Sequence, residues 1–441
     1  MTDACRALQG LRRVNSRLMV TEANSAVDAS GRNAFGPRIM ELADLLARWS
    51  ETSDGLTCTY LSPAHRSAAA QLREWMRQVG MTAEIDAAGN VVGRYACDAR
   101  AAKTLIIASH YDTVRNAGRY DGRLGILAGL VLVEHLQRSG RRLPFHLDVI
   151  AFSEEEGVRF STPYIGSSAV AGKFDMGVLE RRDGQGNRMI DVMCEAGLDP
   201  HLIPSLARRP QDLLGYLEVH IEQGPVLLQE DLPVGVVTTI AGAVRHQVTV
   251  TGAAGHAGTV PMQLRHDAAA AAAEIVLYVE RRCAAVPMLV GTVGQLAVPA
   301  GAINIIPGRC ELSLDIRAGE DAIREAAVAD VLAEIGRIAQ RRGVTVDVTE
   351  VTRGDNVPCR PRMQGLLADA IARVGVPVRR LPSGAGHDAM LFAGVTDLGM
   401  LFVRCGNGGV SHSPREIITA EDADIAARVL LDAVLRLAET P

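Results

Sequence analysis

Mostly apolar runs lie on both sides of a helical pattern over residues 104–152. Residues 104–108 lack a polar face, which is typical of a strand covered on both sides in a parallel sheet, and residues 145–152 predict a second buried strand. The apolar segment 124–136 between them has the length of a helix. Strand, helix and strand in this order predict a right-handed βαβ unit, whose two strands point the same way. Residues 215–221 predict a third strand of this sheet.

The pattern changes near residue 240. Beyond it, the pattern predicts three strands with one polar face, at residues 248–250, 312–317 and 344–351. Two long helices are predicted between them, at residues 266–283 and 320–341. Strands of this kind are typical of an antiparallel sheet that is covered on one side only. We therefore expect an α+β insert over residues 240–353.

The first pattern returns after the insert. Helices are predicted at residues 362–374 and 420–437, and strands at residues 376–381 and 399–403. The sequence thus predicts an α/β protein whose mostly parallel sheet is built from residues 34–239 and 354–441. Residues 1–33 lack sustained periodicity, so we expect a loose N-terminal extension there.

Composition narrows the class of protein. The 441 residues are 48% hydrophobic and 22% charged, as in a globular protein with more than one domain. A net charge of -5 offers no basic surface to nucleic acid. No run is long enough to cross a membrane and no signal-peptide core is present, so we expect a cytoplasmic enzyme. The eight cysteines form no Cys-X-X-Cys pair and are expected to be reduced thiols.

A histidine and two aspartates follow the first apolar run. His110 comes directly after Ser109 and residues 104–108, at the sheet edge where open α/β folds bind ligands. Asp112 is placed to hold one ring nitrogen of His110 while the other faces a metal ion. Asp121 follows a glycine-containing loop that can return it to His110. A surface histidine and a turn aspartate are the alternative from these residues alone.

Further polar side chains follow the other predicted strands. The second strand ends in Glu154, Glu155 and Glu156, and adjacent buried carboxylates are costly unless a positive charge neutralises them. His220 ends the third strand, and His412 lies in a loop after the last one. A solvated acidic loop and a structural histidine are the alternatives.

Five of these side chains make a candidate metal set: His110, Asp121, Glu156, His220 and His412. Three imidazoles and two carboxylates suit zinc, manganese or cobalt better than magnesium or calcium. Two metal ions bridged by one carboxylate lie roughly 3.5 to 4 Å apart and lower the pKa of a shared water. The set therefore predicts a dinuclear hydrolytic site.

Seven motifs occur in order along the chain: SHYDTVRNAGRYDG, AFSEEEGVRF, EVHIEQGPVL, GHAGTVPM, INIIPG, SGAGHDAM and VSHSP. With them the chain resembles the metal-dependent amidohydrolases of the aminoacylase and carboxypeptidase superfamily. The resemblance is to the branch that contains allantoate amidohydrolases and N-carbamoyl-L-amino-acid hydrolases. Within that branch, GHAGTVPM, LPSGAGHDAM and GMLFVRC most resemble the allantoate enzymes.

The resemblance implies two divalent metal ions per subunit, manganese or zinc. It makes Asp121 the bridging ligand. His110 and His220 bind one ion, and Glu156 and His412 bind the other. A mostly parallel-sheet metal domain with an inserted lid and dimerisation domain is the fold that it implies.

The resemblance also implies catalytic and substrate-binding groups. Glu155 is the general base, Asp112 supports His110, and His256 donates to the oxyanion from the partner subunit of a homodimer. Contacts to the substrate are implied for Gln223, His256, Asn304, Arg317 and Gly384. An arginine suits this role because its planar fork pairs both oxygens of a carboxylate. Glu154 is expected to be a supporting or an exposed residue.

The expected reaction is hydrolysis of the ureido group of a small carboxylate, most of all allantoate, with release of ammonia and carbon dioxide. The nearest alternative is an N-carbamoyl-L-amino-acid hydrolase with the same residues and a different pocket shape. A metallopeptidase and a non-catalytic ligand-binding protein are further alternatives. The insert is expected to close over the substrate.

Overall fold

The computed structural model describes residues 34–99 and 102–439. Its strands are β1 (Thr82–Ile85), β2 (Val91–Tyr95), β3 (Thr104–His110), β4 (His146–Phe152), β5 (Leu213–Ile221), β6 (Val234–Ile240), β7 (Gly242–Thr251), β8 (Gly255–His256), β9 (Val290–Thr292), β10 (Leu296–Ala297), β11 (Ile305–Ile306), β12 (Arg309–Ala318), β13 (Thr345–Gly354), β14 (Val357–Pro358), β15 (Arg380–Ser383) and β16 (Leu398–Val403). Its α-helices are α1 (Gly36–Leu46), α2 (Pro63–Gln78), α3 (Arg123–Arg138), α4 (Ile165–Val170), α5 (Met189–Glu195), α6 (Val226–Gln229), α7 (Ala268–Ala284), α8 (Asp321–Arg342), α9 (Pro361–Arg373) and α10 (Ala420–Glu439). The extension expected over residues 1–33 lies outside the described residues. No helix within the described ranges combines the length and the apolar composition that a membrane crossing needs.

A nine-stranded sheet forms the centre of the described chain, in the order β1–β2–β4–β3–β5–β16–β6–β14, with β15 beside β6. The neighbours β4, β3, β5 and β16 are parallel to one another. Antiparallel pairs complete the sheet at both ends. The predicted α/β fold with a mostly parallel central sheet is confirmed.

Both faces of the central strands are covered. On one face Ile107 shares a core with residues of α1, α3 and α10. On the other face Ile106 shares a core with Phe392 and Phe402. Every residue of β3 is buried. This double cover explains why the sequence of β3 shows no polar alternation.

Two glycines bring α3 close to the sheet. A Cβ at Gly125 would lie 2.3 Å from the carbonyl oxygen of Val219, and a Cβ at Gly129 would lie 3.1 Å from the side chain of Ile107. The helix begins directly after Gly122. Its close packing therefore also fixes the residues that precede it against the ends of β3 and β5.

Residues between Gly242 and Gly354 form a second sheet, in the order β10–β12–β7–β13 with β9 beside β12. All of its pairs are antiparallel. Helices α7 and α8 cover one face, where Val248, Ile275 and Val331 belong to a core of their own. Burial alternates along β12 because its other face is left to polar side chains. The insert boundaries at residues 240 and 353 stay a prediction.

Two adjacent chain passages join the sheets. β6 continues into β7 through Ala241, and β13 continues into β14 through two residues. The amide of Asn356 donates to Oδ1 of Asp321 at 2.8 Å. Arg324 donates to the same oxygen at 2.6 Å and to the carbonyl oxygen of Gly354 at 2.8 Å. Since Arg324 is buried, the start of α8 holds the second passage in place.

The strand predicted at residues 376–381 is displaced. β15 begins at Arg380, and residues 376–379 lie outside it. Pro377 has no amide hydrogen to donate to a neighbouring strand, and the side chain of Val378 is exposed. Residues 376–379 therefore form no part of the strand, and its predicted start is wrong.

Gly125→Ala is expected to destabilise the protein because the added methyl group collides with the backbone of β5. Overpacking of this kind costs about 1–3 kcal/mol. Gly336→Ala is the matched control: Gly336 is exposed in α8, an added Cβ there meets no atom within 4 Å, and better helix propensity should add about 0.5–1 kcal/mol. Urea unfolding midpoints, compared with wild type, measure both effects. A Gly125→Ala midpoint at or above wild type would contradict the close packing of α3.

Candidate metal centre

Two histidines end neighbouring parallel strands at one edge of the central sheet. His110 is the last residue of β3, and His220 is the last but one of β5. Because these strands are parallel neighbours, the two imidazole rings come together with their centroids 5.8 Å apart. Both side chains are buried. The alternative of a surface histidine at position 110 is therefore wrong.

Hydrogen bonds orient both imidazoles. Nδ1 of His110 lies 3.2 Å from the backbone oxygen of Asp112, and Nδ1 of His220 lies 2.9 Å from the backbone oxygen of Ile221. A proton on each Nδ1 leaves each Nε2 free as a metal ligand. Both Nε2 atoms face Oδ1 of Asp121, at 3.8 Å from His110 and 3.2 Å from His220.

Asp121 presents its other oxygen to a second pair of groups. Oδ2 lies 3.0 Å from Nε2 of His412, and that nitrogen lies 3.4 Å from Oε1 of Glu156. One carboxylate therefore stands between two sets of ligand atoms, His110 with His220 on one side and Glu156 with His412 on the other. The structure brings all five predicted ligands together around it.

Gly122 allows Asp121 to approach so closely. Its φ is +66°, a conformation that residues with a side chain rarely adopt. A Cβ at this position would lie 2.4 Å from the imidazole of His110. The glycine is therefore required both by the backbone turn and by the ring beside it.

The residues fit a pair of divalent cations. Oδ1 of Asp121 is buried and accepts no hydrogen bond from the described residues. Ligand atoms of His110, Asp121 and His220 lie within 4.8 Å of one another. Those of Asp121, Glu156 and His412 do so as well. A buried carboxylate oxygen between imidazole nitrogens is a site that a cation neutralises. Mixed nitrogen and carboxylate donors suit zinc, manganese or cobalt.

Burial also shifts the titration of the neighbouring acids. It raises the pKa of Glu155 well above its ordinary value and raises the pKa of Glu156 to about 7. Burial alone lowers the pKa of His110, but the contact with Asp112 and the nearby carboxylates outweigh it, and the pKa rises. A divalent cation favours the ionised acids and the neutral imidazole, so cation binding is coupled to loss of protons here.

Asp112 links the end of β3 to the acidic loop. Its carboxylate accepts the amide of Glu155 at 3.0 Å and the amide of Glu156 at 3.1 Å. One of its oxygens lies 3.5 Å from Nδ1 of His110. The structure therefore places Asp112 beside His110, as expected, and the same carboxylate also fixes the backbone that carries the two glutamates.

Glu154 makes different contacts from its two neighbours. Its φ is +53°, and its Oε1 accepts the amide of Arg159 at 3.1 Å. The side chain is fully buried, and burial raises its pKa to about 8. The expectation of an exposed residue at this position is wrong, and so is the alternative of a solvated acidic loop. Glu154 supports the loop from within the protein.

A cavity of about 290 Å³ opens beside these groups. Its wall includes Gln223 from the loop after β5 and Arg317 from the second sheet. Gln223 donates to Oδ2 of Asp121 at 3.0 Å, and Arg317 donates to the backbone oxygen of Gly384 at 2.8 Å. Three of the residues predicted to contact substrate therefore lie at or directly beside this cavity.

His256 and Asn304 lie away from it. His256 is in β8 and pairs with Ile305 of β11, while the amide of Ala257 donates to the backbone oxygen of Asn304 at 2.9 Å. Both side chains are exposed and neither lines the cavity. Within one described chain, these two predicted site residues are not brought to the candidate ligands.

Comparison with known proteins identifies the family. The model of peptidase family M20/M25/M40 matches residues 106–436. The chain belongs to this family. It is 39% identical over 402 residues to an N-carbamoyl-L-amino acid amidohydrolase of Geobacillus stearothermophilus, with 91% of this chain and 97% of that protein covered. It is also 39% identical over 423 residues to a probable allantoate deiminase of Oryza sativa subsp. japonica, with 88% and 86% covered.

Solved structures agree with this assignment to family M20/M25/M40. A crystal structure of an amidase of the hydantoinase/carbamoylase family from Burkholderia multivorans has a TM-score of 0.86 and 31% identity, with 92% of this chain and 98% of that chain covered. The expected enzyme class, a hydrolase of carbon–nitrogen bonds other than peptide bonds, is confirmed. The names of the relatives divide between two substrates.

One buried carboxylate of this M20/M25/M40 protein was missed by sequence reasoning. Glu218 accepts hydrogen bonds from Ser109 at 3.0 Å and from the hydroxyl of Tyr216 at 2.9 Å. It lies two residues before His220 on the same face of β5. The ring of His387 packs 4.5 Å from the ring of His220. The period of two along β5, which aligns Tyr216, Glu218 and His220, was the available signal.

Proposed function

We propose that this amidohydrolase cleaves the ureido group of allantoate and releases ammonia and carbon dioxide. The proposal rests on one observation: the guanidinium of Arg317 and all five candidate ligands line the same cavity. A small substrate with a ureido group at one end and a carboxylate at the other matches this pairing. An N-carbamoyl-L-amino acid carries the same two groups and is the second candidate.

Two features favour allantoate. The motifs GHAGTVPM, LPSGAGHDAM and GMLFVRC resemble those of allantoate enzymes. The cavity wall is also largely polar, with Tyr164, Gln223, Arg245 and Arg317 among its side chains. Sequence identity does not separate the candidates, because relatives named for either substrate are 39% identical to this chain.

Glu155 acts as the general base. Two bound divalent ions, manganese or zinc, would make a water nucleophilic near neutral pH and would polarise the ureido carbonyl. The carboxylate of Glu155 then takes a proton from the attacking water and passes it to the leaving nitrogen. Its position supports this role, since it lines the cavity and Asp112 holds its amide.

Arg317 binds the substrate carboxylate. Its Nε and Nη2 donate to Asp315 at 2.8 Å and 2.9 Å, so the guanidinium is held in place before substrate arrives. Its Nη1 points to the backbone of Gly384 at the cavity edge. Gln223, which already contacts Asp121, lies at the opposite end of the substrate, beside the ureido group.

A homodimer completes the site with His256 and Asn304 of the second subunit. Both residues are exposed here, and the large apolar side chains of Met262, Leu264 and Ile303 nearby are exposed as well. Exposed apolar clusters mark protein–protein contacts, and most homo-oligomers are symmetric dimers. In the cavity of the other subunit, His256 donates to the oxygen that becomes negative during attack on the carbonyl.

The insert over residues 240–353 acts as a lid. Arg317 belongs to the second sheet and the candidate ligands belong to the first. A substrate that contacts both must lie between the two sheets. Movement of the insert toward the first sheet would exclude bulk water from the reacting group.

Metal-loaded protein is expected to release ammonia faster from allantoate than from N-carbamoyl-L-amino acids, because its cavity wall is polar. The assay compares these compounds and dipeptides, each with manganese and with zinc. Faster turnover of a carbamoyl amino acid would favour the second candidate. Dipeptide cleavage stronger than ureido cleavage would make the protein a metallopeptidase, and substrate binding without any turnover would make it a binding protein.

Glu155→Gln should lower kcat by at least about a hundredfold, because the amide cannot accept the proton of the attacking water. Metal content, measured by elemental analysis, should stay at the wild-type level. Glu154→Gln is the matched control and should keep both metal and activity, since Glu154 contacts Arg159 and does not line the cavity. Loss of metal in Glu155→Gln would mean that the roles of Glu155 and Glu156 are exchanged.

Mixed dimers test the shared site. His256→Ala and Glu155→Gln should each be inactive alone, whereas their mixture should recover about a quarter of wild-type activity, because random pairing gives half heterodimers with one intact site each. Activity after refolding or co-expression of the two variants is the measurement. Two Glu155→Gln chains with different tags serve as the control for exchange. No recovery in exchanged dimers would place the whole site within one chain.

A further inference from the structure

Tyr164 lies in the cavity wall without a role in the chemistry above. Its backbone is left-handed, with φ +63° and ψ +28°, directly before α4. A bulky residue rarely adopts this conformation unless the surrounding structure imposes it. Its amide donates to the backbone oxygen of Glu155 at 3.3 Å. The loop that carries the general base therefore also positions the ring of Tyr164.

The hydroxyl of Tyr164 lies against Gly386, another residue of the cavity wall. A Cβ at position 386 would lie 2.1 Å from this oxygen, so only glycine leaves room for the phenol there. No described residue forms a hydrogen bond with the hydroxyl. Burial and the nearby carboxylate of Glu155 raise the pKa of Tyr164 well above its ordinary value, so the hydroxyl keeps its proton and can donate it. The Tyr164 hydroxyl is thus available to hydrogen-bond a substrate in the cavity that Arg317 and the candidate metal ligands also line.

Arg245 is the second side chain of the wall without a role. It lies on β7 directly opposite Asp315 of β12, on the same face as Arg317. Its Nε donates to Asp315 at 2.9 Å, and its two terminal nitrogens have no partner among the described residues. Arg245 and Arg317 therefore share the single carboxylate of Asp315, so one of their two positive charges is left for a ligand. Arg245 and Arg317 also both line a neighbouring cavity of the second sheet, so the two side chains border the same space.

The wall of the 290 Å³ cavity has little apolar surface against which an apolar group of a substrate could pack. In the described chain, the apolar residues of this cavity are Pro163, Ala385 and Gly386. A leucine-like arm placed here would cover Tyr164 and Arg245 without replacing their hydrogen bonds to water, which is unfavourable. An arm with a carbonyl oxygen and amide hydrogens would satisfy both side chains.

We propose that Tyr164 and Arg245 recognise a second, polar arm of the ureido substrate. The enzyme therefore selects ureides with a hydrogen-bonding arm, such as a second ureido group or a carboxamide, over N-carbamoyl amino acids with apolar side chains. This inference rests on the proposed function and names the substrate class of the same cavity. The phenol contacts the arm on the side of Glu155, and the guanidinium donates to its carbonyl oxygen on the side of Arg317.

The experiment compares kcat/KM for four substrates with the metal-loaded enzyme: allantoate, N-carbamoyl-L-glutamine, N-carbamoyl-L-leucine and N-carbamoylglycine. The first two carry a polar arm, the third an apolar arm and the fourth none. Wild type should prefer the first two to N-carbamoyl-L-leucine. Tyr164→Phe and Arg245→Met should each lower kcat/KM for polar-arm substrates about tenfold or more, the usual effect of leaving a polar group unpaired. N-carbamoylglycine should change less than about threefold.

Two controls separate recognition from general damage. Arg245→Lys keeps the charge and should recover part of the lost preference. Arg337→Met, at an arginine of α8 that pairs with Glu334 on the surface, should leave all four substrates unchanged. Equal losses with N-carbamoylglycine in both cavity variants would overturn the inference, because the two residues would then support the site as a whole. Preference of wild type for N-carbamoyl-L-leucine would overturn it as well.

The same data distinguish failure of this inference from failure of the proposed function. If no ureido compound is hydrolysed, N-carbamoylglycine included, both are overturned. If N-carbamoylglycine is hydrolysed and the polar-arm preference is absent in wild type, only the recognition by Tyr164 and Arg245 is overturned.

Discussion

Negative charge buried at the carboxyl edge of a parallel sheet is the constraint on which this structure depends. Asp121, Glu155 and Glu218 are buried within a few residues of the strand ends. Imidazoles face Asp121, and Ser109 and Tyr216 donate hydrogen bonds to Glu218. Such charge is unfavourable unless cations or hydrogen bonds compensate it. The protein supplies oriented histidines and leaves one oxygen of Asp121 without a hydrogen bond from the described residues. A pair of divalent cations at this site would neutralise the buried negative charge and could also activate a water for hydrolysis.

Parallel strands make this concentration of charge attainable. Each strand delivers its last residue to the same edge, so that groups more than a hundred positions apart in sequence become neighbours. The packing of α3 then brings Asp121 to His110 through two glycines, Gly122 and Gly125. A larger residue at either position would move the central carboxylate. The arrangement of the candidate metal ligands therefore depends on the packing of α3 as much as on the identity of the ligand residues.

The parts that sequence could predict are those with a local signal. The apolar run of β3 indicated a sheet covered on both faces, and the polar residues after β3 and β4 indicated its functional edge. Contacts between distant segments had no such signal. The pairing of Arg317 with Asp315, the buried contacts of Glu218 and the distance of His256 from the cavity all depend on how two sheets and their loops are arranged. The shift of β15 to Arg380 shows the same limit, because Val376 and Val378 have the composition of a strand although Val378 is exposed in the structure.

The two chain passages between the sheets have a mechanical consequence. They run side by side, since β6 pairs with β14 and β7 pairs with β13. Two neighbouring links permit rotation about the line that joins them and resist sliding or twisting in other directions. Rotation of the proposed lid about such a pivot would leave both hydrophobic cores intact and would change the separation between Arg317 and Asp121. In this proposal, the span available to a bound molecule would depend on a few backbone torsions beside Arg324, a residue that does not line the cavity.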